Sequence, residues 1–377
     1  MSIGTRSRIA IAAAAALILG SGSLAAQDKV EYKIGVLAGL SGLGAQIGQW
    51  MLAGAEAGAA NLKASGGPTF RIVAEDSQWN PQKGVEGFNK LVNVDETAIV
   101  LAGGSAVVEA IAPLATQGHI LVMNTGAQSP NMAGVGPMVF SVLQLSNFDT
   151  QVLSEYAFSE LGYKSIATLY VNNDTGTFNE AAFGEAFKAV GGTIVASESF
   201  KPDEMSYGVQ LAKIRAAQAD AVYIVGRPSE LPFAVRQTRQ MLPGLPILSY
   251  AGLESKEFLD AAGDAANGIV YTTTAFDPSS DAQNVQDFVK AYKDVTGEAP
   301  SSPYAGYGYD AVMIAAKALE QTGGETGDAL AKAILDIAKF PGVTGENLFR
   351  DDGTVAKAVA IRKVENGAFS TVTVVEP

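Results

Sequence analysis

The chain of 377 residues contains no cysteine. This absence excludes disulfide bonds, thiolate metal sites, a cysteine nucleophile and the lipid-carrying cysteine of an anchored lipoprotein. Histidine is nearly missing as well, since His119 is the only one. It stands at the start of a predicted strand, where a structural role is the simpler interpretation. The sequence thus offers little from which to build a Ser-His-Asp site or a zinc site, and we expect no catalytic residue, no metal and no cofactor.

The sequence also lacks an uninterrupted run of about twenty apolar residues, the length that crosses a bilayer as a helix. A shorter run, residues 9–20, follows Arg6 and Arg8 and precedes small residues that end at Ala25 and Ala26. Basic, apolar and small residues in that order are typical of a secretory signal peptide. We therefore predict a signal peptide at residues 1–26 and a mature chain that is exported to the periplasm, soluble and without a lipid anchor.

Basic residues are few compared with acidic ones. The chain has 26 Lys and Arg against 39 Asp and Glu, a net charge of −13, and loss of Arg6 and Arg8 with the signal peptide brings it to −15. Phosphate backbones and anionic membranes repel a surface this acidic, so we expect no nucleic-acid partner. The ordinary role of such a surface is solubility.

The mature chain alternates short apolar runs with longer amphipathic ones, which predicts parallel sheets with helices on both faces. A first set has strands at 32–38, 70–75, 98–102 and 119–124, and helices at 49–64, 81–92 and 107–116. A second set has strands at 165–170, 193–198, 221–225, 247–249 and 269–273, and helices at 154–161, 179–190, 207–217, 230–241, 282–296 and 305–321. Two α/β lobes of similar build follow from this repetition. Asn366-Gly367 predicts a tight turn in a final hairpin of residues 355–363 and 371–375.

Donor-rich loops follow two neighbouring strands of the first set. Gly103-Gly104-Ser105 lies between a strand and its helix, and residues 125–128 end the next strand. The carboxyl ends of adjacent parallel strands meet at one edge of a sheet, so these loops are suited to hold one carboxylate. A plain helix-capping role for Ser105 is the alternative.

The loop after the first strand is rich in glycine. Residues 42–48 have the spacing GxGxxxG rather than GxGxxG, and no acidic residue follows about twenty positions later. This favours a flexible ligand loop over a nucleotide site. Trp50 and Trp79 lie just past strand ends, where they either pack in the core or stack on a ligand. Arg227, just past the strand at 221–225, is either a surface residue or part of the site.

Several short segments carry a resemblance that runs nearly the whole mature length. They are Ile34-Gly35-Val36, Leu40-Ser41-Gly42, Gly54-Ala55-Glu56, the stretch from Asn61 to Gly67, Glu75-Asp76-Ser77-Gln78-Trp79-Asn80-Pro81, Gly103-Gly104-Ser105, Ala261-Ala262-Gly263-Asp264-Ala265-Ala266-Asn267-Gly268 and Tyr304-Ala305-Gly306-Tyr307-Gly308-Tyr309-Asp310-Ala311. In this ordered set the chain resembles the periplasmic substrate-binding proteins of ABC importers, of the branched-chain amino acid (leucine/isoleucine/valine-binding) type. The set identifies the family specifically but does not indicate which ligand is bound.

The resemblance implies an α/β fold of the type I periplasmic binding protein class, with two Rossmann-like lobes, a ligand cleft between them and three hinge crossovers near residues 146, 275 and 345. The N-terminal lobe is expected at 27–146 and 276–345, and the C-terminal lobe at 147–275 and 346–377. Such proteins are not enzymes. They capture a small molecule by hinge closure and deliver it to a membrane permease. We expect a monomer.

The resemblance also assigns site residues. The serine that holds the ligand carboxylate falls on Ser105, and its backbone partner in the next loop falls on Gly126. A following hydroxyl is replaced by Gln128, whose amide can still donate. The tyrosine of the first loop falls on Ile47, beside Trp50, and an aromatic residue of the second lobe falls on Thr175, next to Asp174.

The largest departure concerns the ligand ammonium group. The glutamate that binds it in the family falls near Ala251, and unless Glu254 or Asp174 substitutes, burying an ammonium group costs several kcal/mol. Arg227 stands where the family often has an aromatic residue. We therefore expect a carboxylate ligand without an ammonium group, such as an aromatic acid, a keto acid or a dicarboxylate. A branched-chain or aliphatic amino acid stays possible if Glu254 reaches inward.

The sequence thus predicts an extracytoplasmic solute-binding protein for an ABC importer. The expected ligand-binding residues are Gly104, Ser105, Gly126, Ala127, Gln128, Trp50, Trp79, Asp174, Thr175, Arg227, Tyr250, Glu254, Tyr304 and Tyr307. Two other functions are kept open. One is a sensory binding protein that docks on a receptor, and the other is an exported hydrolase.

Overall fold

The computed structural model describes residues 31–42 and 44–376, so the predicted signal peptide lies outside the described residues. The first part of the chain forms β1 Glu31–Ala38, α1 Ala45–Ala64, β2 Thr69–Asp76, α2 Pro81–Asn93, β3 Ile99–Gly103, α3 Ser105–Gly118, β4 Leu121–Gly126 and β5 Val139–Ser141. Then come α4 Ser146–Ser159, β6 Ser165–Val171, α5 Asp174–Ala189, β7 Thr193–Phe200, α6 Gly208–Ala217, β8 Ala221–Val225, α7 Leu231–Met241, β9 Ile247–Tyr250, α8 Lys256–Ala262 and β10 Val270–Thr274. The chain ends with α9 Gln283–Thr296, α10 Pro303–Thr322, α11 Asp328–Ile337, β11 Lys339–Gly342, β12 Gly345–Phe349, β13 Val355–Ala356, β14 Val359–Glu365 and β15 Ala368–Val375.

The two main sheets share one topology. The first has the strand order β2-β1-β3-β4-β5, and every pair in it is parallel. The second contains β7-β6-β8-β9-β10 in the same relative order, extended by the antiparallel strands β14 and β15. The chain order reverses beside β1 in the first sheet and beside β6 in the second, and open α/β sheets bind ligands at such points. The prediction of two α/β lobes of similar build is confirmed.

Each sheet has its own hydrophobic core. One core is built from residues between Ile34 and Leu145 together with residues between Phe276 and Val343, and we call this part the first lobe. The other runs from Val152 to Tyr271 and takes in Val359, Ile361 and Val364, and we call this part the second lobe. Helices α9, α10 and α11 thus belong with the first sheet although they follow the second in sequence.

A buried polar cluster lies where the chain passes between the lobes. Asp310 on α10 accepts hydrogen bonds from the backbone N–H and the hydroxyl of Thr344. The ammonium group of Lys357, fully buried, donates to the same hydroxyl, and burial lowers the pKa of Lys357 to about 8. The Tyr307 and Thr274 hydroxyls lie 2.5 Å apart. Lys357 separates β13 from β14, which explains why the single strand predicted at 355–363 is interrupted.

Five helices begin earlier than predicted, among them α4 at Ser146 rather than 154 and α10 at Pro303 rather than 305. The other three follow strands that end at the cavity. Helix α1 begins at Ala45 rather than 49, α3 at Ser105 rather than 107, and α5 at Asp174 rather than 179. The residues missed at these three starts are mostly small or polar, so they show no apolar periodicity. The α5 start is fixed by Asn173, whose side-chain oxygen accepts from the N–H of Gly176 at 2.9 Å. These first turns therefore lie directly behind the strand ends.

Other elements were not anticipated or were slightly misplaced. Helices α8 and α11 and strands β5, β11 and β12 were not predicted. His119 lies at the end of α3 with φ 53°, before β4 begins, and its Nδ1 is 2.8 Å from Asp328 Oδ1 at the surface. The hairpin turn is as predicted, since Asn366 and Gly367 both have positive φ, 52° and 72°. Within the described residues no helix combines the length and apolar character needed to cross a bilayer.

Candidate functional site

A cavity of about 350 Å³ lies between the lobes, at the carboxyl ends of strands from both main sheets. Almost all of its wall comes from loops that end a strand or from the first turn of the helix behind it. Its lining residues are Gly44, Ile47, Gln78, Trp79, Gly104, Ser105, Ala106, Gly126, Gln128, Asn173, Asp174, Thr175, Asn179, Pro202, Arg227, Tyr250 and Tyr304. The cavity thus occupies the chain-reversal points of the two sheets together.

The first turn of α3 forms one part of the first-lobe wall. Ser105 and Ala106 line the cavity where backbone N–H groups have no acceptor within the helix. The Ser105 hydroxyl oxygen accepts from the N–H of Ser129 at 3.3 Å, so its proton is left to donate to a ligand. Gly104 precedes the helix with φ 83°, and a Cβ there would lie 3.0 Å from the Trp79 ring. Glycine lets the helix start and the indole share this wall.

The loop after β4 lies beside the α3 start. The buried side chain of Asn124 accepts from the N–H of Gly126 at 3.2 Å and of Ala127 at 2.7 Å, which fixes the loop. The Gly126 N–H, which the resemblance assigns to the ligand, is therefore already engaged within the protein, as is that of Ala127. The Gln128 side chain lines the cavity, while its carbonyl accepts from the N–H of Ser146 at 2.8 Å. Gln128 is thus the donor that this loop presents.

Trp79 forms the apolar part of the first-lobe wall. Gln78 and Trp79 both have positive φ, 49° and 56°, which turns the indole toward the cavity. The indole Nε1 donates to the carbonyl of Gly44 at 3.2 Å, and the ring covers Gly39, where a Cβ would lie 2.4 Å from it. This wall offers an aromatic face with its polar edge satisfied, suited to stack on a planar or aliphatic ligand body.

Polar side chains at the start of α5 form part of the second-lobe wall. Asn173 caps the helix, and Asp174 and Thr175 stand exposed at the rim of the cavity. Asn179, one turn further on, is buried and donates to the carbonyl of Thr175 at 2.9 Å. Among the described lining residues Asp174 is the one carboxylate.

Arg227 completes the second-lobe wall, and its charge is already balanced. Its guanidinium donates to Glu230, which is fully buried, and to Asp203. Burial alone would lower the pKa of Arg227, but the bonds and charges of these two carboxylates raise it instead. The Arg227 cation is therefore paired within the second lobe.

Buried tyrosines lie at the base of the cavity. The Tyr250 hydroxyl donates to the carbonyl of Gly226 at 2.8 Å, and burial raises the pKa of both Tyr250 and Tyr304 well above the usual range. Asp149 on α4 is buried nearby in the second lobe, and its Oδ1 has no partner among the described residues. Burial raises the pKa of Asp149 to about 7.

Four predicted site residues do not line the cavity. Trp50 lies on the buried face of α1 in the first core, because that helix begins earlier than predicted. Ala127 is buried behind its loop. Glu254 is buried in an ion pair with Arg362, and burial raises its pKa against the opposing effect of that arginine. Tyr307 faces Thr274 and the buried cluster between the lobes.

Several lining residues were not anticipated from the sequence. They are Gly44, Gln78, Ala106, Asn173, Asn179 and Pro202. Gln78, Asn173 and Pro202 each lie two residues past the end of a strand, namely β2, β6 and β7. The position of a polar or rigid residue just past a predicted strand was the available signal for these three. Asn179 gave no such signal, since its place depends on where α5 begins.

Comparisons with known proteins agree with this arrangement. Residues 31–368 match the model of a family described as periplasmic binding protein. The chain is 24% identical over 364 residues to a Leu/Ile/Val-binding protein, BraC3, of Rhizobium johnstonii, covering 93% of this chain and 96% of the relative.

Solved structures show the same fold. A branched-chain amino acid transporter substrate-binding protein from Streptococcus pneumoniae, in complex with isoleucine, has a TM-score of 0.83 at 24% identity, covering 92% of this chain and 100% of that one. A solute-binding protein of an ABC transporter from R. palustris, in complex with 4-hydroxybenzoate, has a TM-score of 0.83 at 19% identity, covering 92% and 97%. The two-lobed fold, the cavity at the strand ends and the match over most of the length lead to one conclusion: the chain belongs to the periplasmic binding protein family.

Proposed function

We propose that this protein captures a small carboxylate in the cleft and delivers it to the membrane permease of an ABC importer. The observation that carries the proposal is the first-lobe wall of the cavity. It joins the first turn of α3, the Ser105 hydroxyl and the Gln128 amide, and contains no charged side chain. A helix start with an added hydroxyl stabilises an anion without burying a second charge.

The rest of the cavity supports an acid that lacks an ammonium group. Glu254 is engaged with Arg362, which leaves Asp174 as the carboxylate available to an ammonium group. Asp174 is exposed at the rim, where an ion pair contributes little. Trp79 offers an aromatic face in the same cavity. Aromatic acids and keto acids therefore fit best, and aliphatic amino acids fit only if Asp174 pairs with their ammonium group.

The similar proteins support both an aromatic acid and an aliphatic amino acid as the ligand class. The S. pneumoniae relative holds isoleucine, and the R. palustris relative holds 4-hydroxybenzoate. Each ligand has one carboxylate and an apolar body. For this chain we propose the same general form, with the carboxylate on the first-lobe wall and the body against Trp79.

The cellular setting of the proposal follows from the sequence and the family. We propose that residues 1–26 direct export, that the mature monomer acts in the periplasm without a lipid anchor, and that it performs no catalysis. Crossovers near residues 146, 275 and 345 act as hinges, so that ligand binding closes the lobes and the permease reads the closed state. Docking on a receptor in place of a permease uses the same ligand cleft.

Thermal unfolding of the mature protein with a ligand panel tests the proposal. The panel contains aliphatic amino acids, aromatic acids, keto acids, dicarboxylates and neutral amides. A ligand at 100 times its dissociation constant stabilises the folded state by about 2.7 kcal/mol, a shift of several degrees at most for a chain of this size. We expect a shift with monocarboxylic acids that lack an amine. A shift with amino acids alone would assign the ammonium group to Asp174, and no shift with any carboxylate would contradict the proposal.

A further inference from the structure

The guanidinium of Arg227 is held by one buried carboxylate. Its Nε donates to Glu230 Oε1 at 3.1 Å, its Nη2 donates to the same oxygen, and its backbone N–H donates to Glu230 Oε2 at 2.9 Å. The Glu230 side chain is 0% exposed. A carboxylate with this burial and these bonds fixes both the position and the protonation of its partner.

Glu230 also holds the neighbouring loop of the cavity wall. Its Oε1 accepts from the backbone N–H of Asp203 at 3.0 Å, and Asp203 in turn accepts from Arg227 Nη2. Asp203 has φ 69°, in the left-handed region, so its side chain reaches the guanidinium from a tight turn. Pro202, just before it, lines the cavity. Arg227, Asp203 and Glu230 therefore form one built unit, which we call the arginine clamp.

The charges of the two walls differ. The arginine clamp contains one cation and two carboxylates, and Asp174 adds a further carboxylate on the same side of the cavity. Arg227 is the one cationic residue among the described lining residues. The first-lobe wall has no charged side chain. The second-lobe wall is thus negative overall even though an arginine lies in it.

One donor of the arginine clamp is left for a ligand. The hydrogen bonds to Glu230 and Asp203 use Nε and Nη2, and Nη1 has no partner within the part of the chain that the structure describes. We infer that Asp203 and Glu230 convert Arg227 from an anion receptor into a hydrogen-bond donor whose positive charge is already offset, so that the cleft selects monocarboxylates whose far end is a neutral acceptor and rejects dicarboxylates. This inference rests on the proposed function, because it takes the carboxylate to lie on the first-lobe wall.

The physical reason for this selection is the electrostatic field at the far end of the ligand. A carbonyl, amide or hydroxyl oxygen can accept from Nη1 without adding charge. A second carboxylate there would meet Arg227 but also Asp203, Glu230 and Asp174, and like charges placed across an interface are unfavourable. Dicarboxylates, which the sequence analysis included among the expected ligands, are therefore excluded by this inference.

Matched ligand pairs test this selection. The probes are glutamine with glutamate, and 4-carbamoylbenzoate with terephthalate, which differ only by a neutral amide against a carboxylate at the far end. Titration calorimetry of the mature protein should give at least about ten-fold tighter binding of the amide member, equivalent to about 1.4 kcal/mol. Equal binding of both members would overturn the inference. So would a protein that binds other carboxylates but neither amide probe.

A substitution tests whether the arginine clamp causes the preference for the amide over the acid. Glu230→Gln removes a buried partner and is prone to misfolding, so Asp203→Asn is the informative variant, since the Asp203 side chain is 53% exposed. We expect Asp203→Asn to reduce the ratio of amide affinity to acid affinity about five-fold. This is the effect of removing one charge that solvent partly screens from the ligand. Glu365→Gln, in an exposed pair with Lys363 near the opposite ends of the strands, serves as the control and should leave the ratio unchanged.

Two different results would overturn different claims. An unchanged ratio in Asp203→Asn, with the folded state intact, would overturn the role of the arginine clamp while leaving carboxylate binding in place. Failure of the parent protein to bind any carboxylate, in the probes or in the wider panel, would remove the proposed function and this inference together.

Discussion

The two walls of the cleft are polar for different reasons. The first-lobe wall uses backbone N–H groups, the Ser105 hydroxyl and the Gln128 amide, and carries no charged side chain. The second-lobe wall uses charged side chains that are largely satisfied by one another, with Glu230 at their centre. The first wall can therefore bind a charge, whereas the second is part of the folded structure of its lobe. Substitutions in the first wall should change affinity, and those in the second should change stability as well.

The unpaired carboxylate of Asp149 gives the largest expected effect. Burial raises its pKa to about 7 in the folded state from 3.8, so the folded state binds the proton more tightly than the unfolded state. Its contribution to stability is fully present below pH 3.8 and is lost as the pH rises to about 7. Asp149→Asn should therefore stabilise the protein by up to about 4 kcal/mol at pH 8 and by little at pH 4.

Denaturant unfolding at several pH values measures this difference. Asp260→Asn, in an exposed pair with Lys256 of the second lobe, provides a matched control that should stay within about 0.5 kcal/mol of the parent protein. A constant difference between Asp149→Asn and the parent from pH 4 to pH 8 would show that Asp149 does not titrate in this range.

Removal of Arg227 comes next in size. Arg227→Met leaves the buried Glu230 without its cation, and breaking a buried ion pair on one side costs about 3 kcal/mol or more. Thermal and denaturant unfolding should show this loss in the absence of any ligand. Arg236→Met, which removes an exposed arginine of α7, the helix that follows Glu230, is the control. Unchanged stability of Arg227→Met would mean that the side chains of the second-lobe wall contribute no more to folding stability than those of the first-lobe wall.

Substitution of Ser105 has the smallest expected effect, and it should act on binding more than on stability. Ser105→Ala removes one hydrogen bond to a charged ligand group, which costs about 1–3 kcal/mol of binding free energy. The stability of the unliganded protein should fall by no more than about 1 kcal/mol, the contribution of the 3.3 Å hydrogen bond that Ser105 accepts from the Ser129 N–H. Titration calorimetry and unfolding measure the two effects separately, with Ser65→Ala, exposed in the same lobe, as the control. An equal loss of stability and affinity would remove the contrast between the walls.

The sequence predicts the scaffold of the site better than its electrostatics. Strand ends follow from apolar runs bounded by glycine and polar residues, so the loops containing Ser105, Gln128, Asp174 and Arg227 are found from local patterns. Helix starts are less certain, and the misplaced start of α1 is why Trp50 is assigned to the cavity rather than to the core.

Long-range pairing explains the remaining differences. Glu254 is expected in the cleft because nothing in its neighbourhood reveals Arg362, which lies far along the chain on β14. The arginine clamp has one local signal, the spacing of three between Arg227 and Glu230, but Asp203 joins it only through folding. The charge of a buried residue can be read from the sequence, whereas its neutralisation depends on contacts that only the tertiary structure supplies.

Titration of the mature protein with an acid and with its own primary amide tests the central claim most directly. Benzoate with benzamide, 2-oxo-4-methylpentanoate with its amide, and leucine with leucinamide are suitable pairs. If the first-lobe wall holds a carboxylate, the acid of the pair that binds should do so about ten- to a hundred-fold more tightly than its amide, the value of hydrogen bonds to a charged group. An amide that binds as tightly as its acid would contradict the account.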